Sequence, residues 1–159
     1  MSDSALHVAL LAPVPSQHLE AGFVVCREKG RVAFGSRAWE VFRELDALCK
    51  GLPVDVYFYA SQADCGSPLK VTWHARYIGH VESHGGAHPE GMRFRPASTA
   101  KYKNDNEGHW AIFWEVECLQ KLKEESERIP LTEFLGIKKG KSYKVGFIPE
   151  GPLLVQQPR

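Results

Sequence analysis

Alternation of apolar and polar residues with a period of two sets the strongest limit on how this chain can fold. From Leu69 to Ser83, Val71, Trp73, Ala75, Tyr77, Gly79 and Val81 fall on one face. Lys70, Thr72, His74, Arg76, His80 and Glu82 occupy most of the other. Val54 to Ala60 sets Val54, Val56, Phe58 and Ala60 against Asp55, Tyr57 and Tyr59. Trp110 to Leu119 puts Trp110, Ile112, Trp114, Val116 and Cys118 in register. Successive side chains on a strand point to opposite faces, so each pattern predicts a strand with one buried face. Leu6 to Leu11 reads as a further buried strand, stopped by Pro13 and Pro15, and Gly22 to Arg27 as a short apolar run before a Lys29-Gly30 turn. Tyr143 to Ile148 and Leu153 to Gln156 are expected to be closing strands around the turn Pro149-Glu150-Gly151-Pro152.

Helical spacing is clearest between Ser36 and Lys50. Ala38, Val41, Phe42, Leu45, Leu48 and Cys49 share a stripe, with Ser36 as expected N-cap and Gly51 as expected stop. A shorter helix-like turn is expected over Pro130 to Leu135, with Pro at its start and Gly136 after its end. No repeat, low-complexity tract or linker divides residues 1–159, and that length fits one domain. The elements together predict an α+β fold: a small mixed, mostly antiparallel β-barrel with one main helix and one short helix.

Three of the seven histidines, His80, His84 and His88, are spaced four residues apart. On a helix that spacing could converge on a metal. Gly85, Gly86 and Pro89 break helices, and on a strand His80 and His84 lie about 13 Å apart, at ~3.3 Å per residue. The stretch is therefore expected to be a strand end running into a loop, and no metal or other cofactor is expected. The loop, residues 84–108, exceeds the ~12–15 residues beyond which loops in compact domains are usually functional or disordered.

Composition excludes little beyond long-range steering. The net charge is +1, so an anionic partner must be held by a local patch. The four cysteines form no CxxC pair, which argues against a zinc ribbon and for free thiols in a reducing compartment. The N-terminal apolar run, Ala5 to Val14, lacks a preceding Lys or Arg and is too short to span a bilayer. A cytoplasmic protein with no membrane partner is expected.

Candidate functional residues lie at strand ends and in the long loop. Tyr57, Tyr59 and Ser61 could wall a pocket for a planar ligand, or the tyrosines could be core filler with tethered hydroxyls. His109 and Trp110, where the loop re-enters the sheet, suit stacking plus hydrogen bonding; Trp110 could equally be the first core residue of its strand. Arg93, Arg95, Lys101 and Lys103 are interleaved with Phe94 and Tyr102, with no acid among them. Cations mixed with aromatics suit a nucleic-acid backbone and its bases. Lys138, Lys139, Lys141 and Lys144 form a second cluster around Tyr143. Catalytic signatures are absent: there is no GxSxG, Walker loop, HExxH or Cys–His motif. Glu115 and Glu117 are expected to pair with lysines.

The order of segments resembles the PUA-like superfamily, which includes the EVE, ASCH and YTH domains. The resemblance rests on VDVYFYAS, with Val56 to Ser61; on Gly79 to Val81; on HWAIFWEVE, with Trp110 to Glu115; and on IPLTEFLG, with Pro130 to Leu135. It spans roughly residues 36–156. The usual Gly-Asp pair before the first of these strands is separated here, as Gly51 and Asp55. The resemblance implies a small barrel with a cleft for RNA, or for a modified base in RNA or DNA. It leads to a non-catalytic module that binds nucleic acid or a modified nucleotide through Tyr59, Ser61, His109 and Trp110, with Arg93, Arg95, Lys101, Tyr102, Lys103, Lys139 and Lys141 on the backbone. Some ASCH relatives hydrolyse acylated nucleosides, so a small amidohydrolase or esterase is the alternative. A protein-interaction domain is a third reading.

Overall fold

A computed structural model describes residues 8–60, 70–103, 106, 108–136 and 151–158. The expected site residues Ser61, Lys139 and Lys141 lie outside these, as do Lys138, Lys144 and the strand expected over 143–148.

The first strand, β1 (Val8–Val14), is buried along almost its whole length and leads through Pro15 into α1 (Ser16–Lys29). Gly30, at φ 88°, closes α1 by donating its N–H to Cys26 C=O. Then follow β2 (Val32–Ser36), α2 (Trp39–Cys49), β3 (Val54–Ala60), β4 (Lys70–Val71) and β5 (Trp73–Glu82). After the long loop come β6 (Ile112–Lys121), β7 (Ile129–Pro130) and β8 (Leu153–Gln156). Six strands form one sheet in the order β2-β6-β5-β3-β1-β8, with β1 and β3 parallel and the other neighbours antiparallel; β4 and β7 form a two-stranded ladder.

The sheet is open, which corrects the expected barrel. Closure would require β2 to hydrogen-bond to β8, and each edge is occupied otherwise. On β2, Ala33 donates its N–H to Phe94 C=O and accepts from Arg95 Nη1 at 2.8 Å. On β8, Val155 bridges to Gly136, and Gln156 donates its N–H to Leu135 C=O. The helix count is corrected too. Two full helices form where one was expected, and the turn expected over Pro130 to Leu135 is a single 3-10 turn, Leu131–Glu133.

Both sheet faces are covered. The main core joins Leu10, Ala12, Leu19, Phe34, Phe42, Leu45, Val56, Phe58, Tyr77 and Trp114. Trp114 stacks against Phe42 (centroids 5.2 Å, 27°) and against Phe58 (5.7 Å, 15°), contacts that contribute about 0.5–1.5 kcal/mol each beyond area burial. A second cluster holds Leu11, Tyr57, Tyr59, Val71 and Phe134. A third, of Ala33, Phe94 and Phe113, lies under the long loop.

Two bulges change which side chains face the core. Between β5 and β6, Tyr77 pairs with Val116 but Gly79 with Glu115, so Ile78 is an extra residue on β5. Gly79 takes φ 137° there. Alternation inverts: Val81 packs with the Phe113 cluster, and His80 turns to the side of Tyr77 and Phe42. Likewise His74 pairs with Gln120 but Arg76 with Glu117, which places an extra residue on β6 beside Cys118 at φ 55°. Cys118 is therefore exposed and Leu119 takes the core position.

Candidate ligand-binding cleft

The long loop is tied down at both ends. Gly108 donates its N–H to Gly85 C=O and Ser83 to Ala111 C=O, so the two stems run side by side. They touch at Gly86, where a Cβ would overlap the backbone of Gly108 and His109. Gly86 also has φ 85°, so glycine is required twice over.

Inside the loop a polar network forms around a buried histidine. His88 is buried, accepts the Glu90 N–H at Nδ1 (3.0 Å) and lies 3.1 Å from Glu115 Oε2 through Nε2. Since Nδ1 accepts, Nε2 carries the proton and donates to Glu115. Arg31 Nε sits 3.4 Å from the other Glu115 oxygen, as an ion pair without hydrogen-bond geometry, and its guanidinium lies 4.0 Å from the Phe94 ring centroid. Glu115 thus pairs with Arg31 and His88, not with a lysine, and Glu117 pairs with Arg76. His80, His84 and His88 go to different places: an Asp46 contact, a bridge to Ala87 and the Glu115 pair. Among the described residues no group of three or more His, Cys, Asp or Glu could hold a metal ion.

The loop's middle segment, including the 3-10 turn Ala97–Lys101, docks on the first turn of α1. Ser98 Oγ donates to Gln17 C=O (3.2 Å) and accepts from His18 Nδ1 (2.6 Å), and Gln17 Nε2 donates to the Tyr102 hydroxyl (3.1 Å). His18 and Tyr102 meet edge to face at 5.8 Å. Thr99 and Asn106 brace the turn, with Asn106 Nδ2 on Thr99 C=O and Asn106 Oδ1 accepting from Arg95 Nε (3.2 Å).

This docking leaves a cleft of about 320 Å³ between the end of β1, the start of α1, β2 and the loop. Pro13, Val14, Pro15 and Phe34 form its apolar walls; Gln17, His18, Arg95, Thr99, Tyr102 and Trp110 supply its polar and aromatic groups. Among the described residues no lysine or carboxylate lines it. Arg95 is buried, with its guanidinium 4.9 Å from the Phe113 ring centroid. The α1 start adds two backbone N–H groups, on Ser16 and Gln17, that have no intrahelical acceptor. The first helical bonds run from His18 and Leu19 to Pro15 C=O, and α1 has no acid in its first turn. The Trp110 indole N–H is buried with no hydrogen-bond partner among the described residues.

Three of the expected site residues, Arg95, Tyr102 and Trp110, therefore meet in one cleft. Tyr59 does not join them: it is fully buried beside Tyr57 and Phe134. Tyr57, the other tyrosine of that wall, accepts from Gln157 Nε2 at 2.8 Å. His109 stands edge-on to Trp110 at 4.3 Å and does not line the cleft. Arg93 pairs with Glu90, and Lys101 and Lys103 are exposed on either side of Tyr102. Gln17 and His18 stand outside the expected site because no helix is expected at the start of α1, and Thr99 is a loop residue with no local signal of its own.

No helix among the described residues is long and apolar enough to cross a membrane. Neither a family model nor a curated protein matches the chain, and nothing in these comparisons supports the PUA-like, RNA-binding or modified-base identities that the segment order suggested.

Proposed function

We propose that the cleft binds a single nucleotide, free or at the end of a strand, and that the protein acts as a binding module. The observation that carries this reading is the meeting of Arg95, Tyr102 and Trp110 with the α1 N-terminus in one cleft. Each part matches one part of such a ligand. Helix N-terminal amides with a nearby guanidinium suit a phosphate. Tyr102 and Trp110 suit a base, at about 1–3 kcal/mol per stacked base. Gln17, His18 and Thr99 offer polar groups for a base edge or a sugar. A volume of about 320 Å³ stands at the low end of ligand sites, ~300–1,000 Å³, and suits one nucleotide better than an extended strand.

Calorimetric titration with nucleoside monophosphates, the matching nucleosides and short oligonucleotides, at two salt concentrations, tests the reading. Monophosphates are expected to bind more tightly than nucleosides, with a weak salt dependence set by about one phosphate. Binding of oligonucleotides alone would place the ligand at a strand end. No binding by any of the three at low salt would overturn the reading.

A further inference from the structure

The bulge at Ile78 has a second consequence, on the other side of α2. It turns His80 toward Asp46, and Asp46 Oδ2 lies 2.9 Å from His80 Nδ1. The Tyr77 hydroxyl donates to Asp46 Oδ1 at 2.6 Å and sits 3.1 Å from the same His80 nitrogen. Asp46 therefore accepts from Tyr77 and sits at ion-pair distance from His80 without hydrogen-bond geometry to it. With its own proton on Asp46, the Tyr77 hydroxyl accepts from His80, which fixes the proton on Nδ1 of the neutral imidazole and leaves Nε2 with a lone pair.

His80 also lines a second cleft of about 470 Å³, together with Trp39, Arg43, Glu82, Ala111 and Ile112. Asp46 and Tyr77 do not line it. His80 is thus the one member of this trio that reaches the cleft. Arg43 and Glu82 are exposed there, and neither forms an ion pair among the described residues. The exposed Trp39 ring lies beside Arg43, at 5.9 Å. The cleft combines an oriented imidazole, a guanidinium and an indole face.

We propose that this second cleft is a hydrolytic site for small acyl esters or amides that carry a carboxylate or phosphate. His80 is the general base, Asp46 its positioning residue and Arg43 the anchor for the substrate's anion. His80 Nε2 takes a proton from a water as that water's oxygen bonds to the acyl carbon. The imidazolium, held by the Asp46 carboxylate, then returns the proton to the leaving oxygen or nitrogen as the acyl C–O or C–N bond breaks. The products are an acid and an alcohol or amine; water is the only co-reactant, and nothing is oxidised.

The test uses the full chain with two probes, the 4-nitrophenyl monoester of succinate and 4-nitrophenyl acetate. The succinate ester is expected to be hydrolysed with a kcat/KM that rises with pH through one ionisation and levels off. His80→Gln and Asp46→Asn are expected to lower it about 100-fold or more. Arg43→Ala, at an exposed position, is expected to raise KM for the succinate ester by a larger factor than for the acetate ester; it keeps the test decisive if the other variants fold poorly. Equal rates for the wild-type protein and folded His80→Gln would overturn the proposal. So would the same KM for both esters with and without Arg43.

Discussion

The Trp110 indole fills the space that a Cβ at Gly35 would occupy. Gly35 lies on β2 and Trp110 at the end of the long loop, so this contact sets where the indole stands in the first cleft. Gly35→Ala should displace the ring without touching a ligand-facing polar group. We expect nucleotide affinity to fall at least about 10-fold, or ~1.4 kcal/mol. Calorimetric titration of the folded variant checks this; unchanged affinity would mean that the indole does not contact the ligand.

Gly86 carries the crossing of the loop stems. A residue with a Cβ there meets both backbone overlap and a left-handed φ, the latter alone worth about 1–3 kcal/mol. Gly86→Ala should therefore cost at least that much in urea denaturation. Gly91, also at positive φ but with open space around it, should tolerate alanine better.

Glu115 holds the loop through His88. Glu115→Ala removes the acceptor of a buried imidazole N–H, which should cost about 1–3 kcal/mol. Amide exchange should rise across residues 88–95, because Arg31 loses its partner on the same carboxylate.

Alkaline stability follows from the buried phenols. Burial, and then the Asp46 carboxylate, push the Tyr77 hydroxyl well above its ordinary range, and burial pushes Tyr57 up. Unfolded tyrosines ionise near pH 10, while the folded ones keep their protons. Above about pH 10 the unfolded state therefore binds fewer protons, and stability falls as pH rises, by ~1.4 kcal/mol per pH unit per group. Below about pH 10 that contribution is fully present. Urea unfolding from pH 8 to 11 should show the fall, and Tyr77→Phe should make it shallower.

Much of the sheet was legible in sequence, because strands buried on one face must alternate. The Val54, Val56 and Phe58 face is a core face as expected, and the two tyrosines opposite are buried in the second cluster, Tyr57 with its hydroxyl held by Gln157. The helix α1 was missed because Phe23, Val24 and Val25 blur its stripe. The spacing of Leu19, Gly22 and Cys26, with Gly30 as the stop, was its signal. Gly22 confirms the role physically: a side chain there would press on Phe34 at 3.3 Å. Gly79 inside a strand pattern was a bulge signal, whereas nothing local marked the bulge at Cys118. His88 was unreadable for a different reason, since its partner Glu115 is 27 residues away and only the folded loop brings them together. The cleft was half legible: the loop's cations and aromatics pointed to it, and the missing α1 hid Gln17 and His18.

The most direct test of the nucleotide reading is the indole N–H of Trp110, buried at the cleft without an acceptor among the described residues. In a ¹⁵N–¹H spectrum the four tryptophans give four indole signals, and Trp110→Phe identifies one of them. On titration with adenosine monophosphate and the other monophosphates, the Trp110 signal should shift progressively, while those of the core residues Trp73 and Trp114 stay in place. A Trp110 signal that does not move for any nucleotide, or shifts confined to Trp39 at the second cleft, would contradict the account.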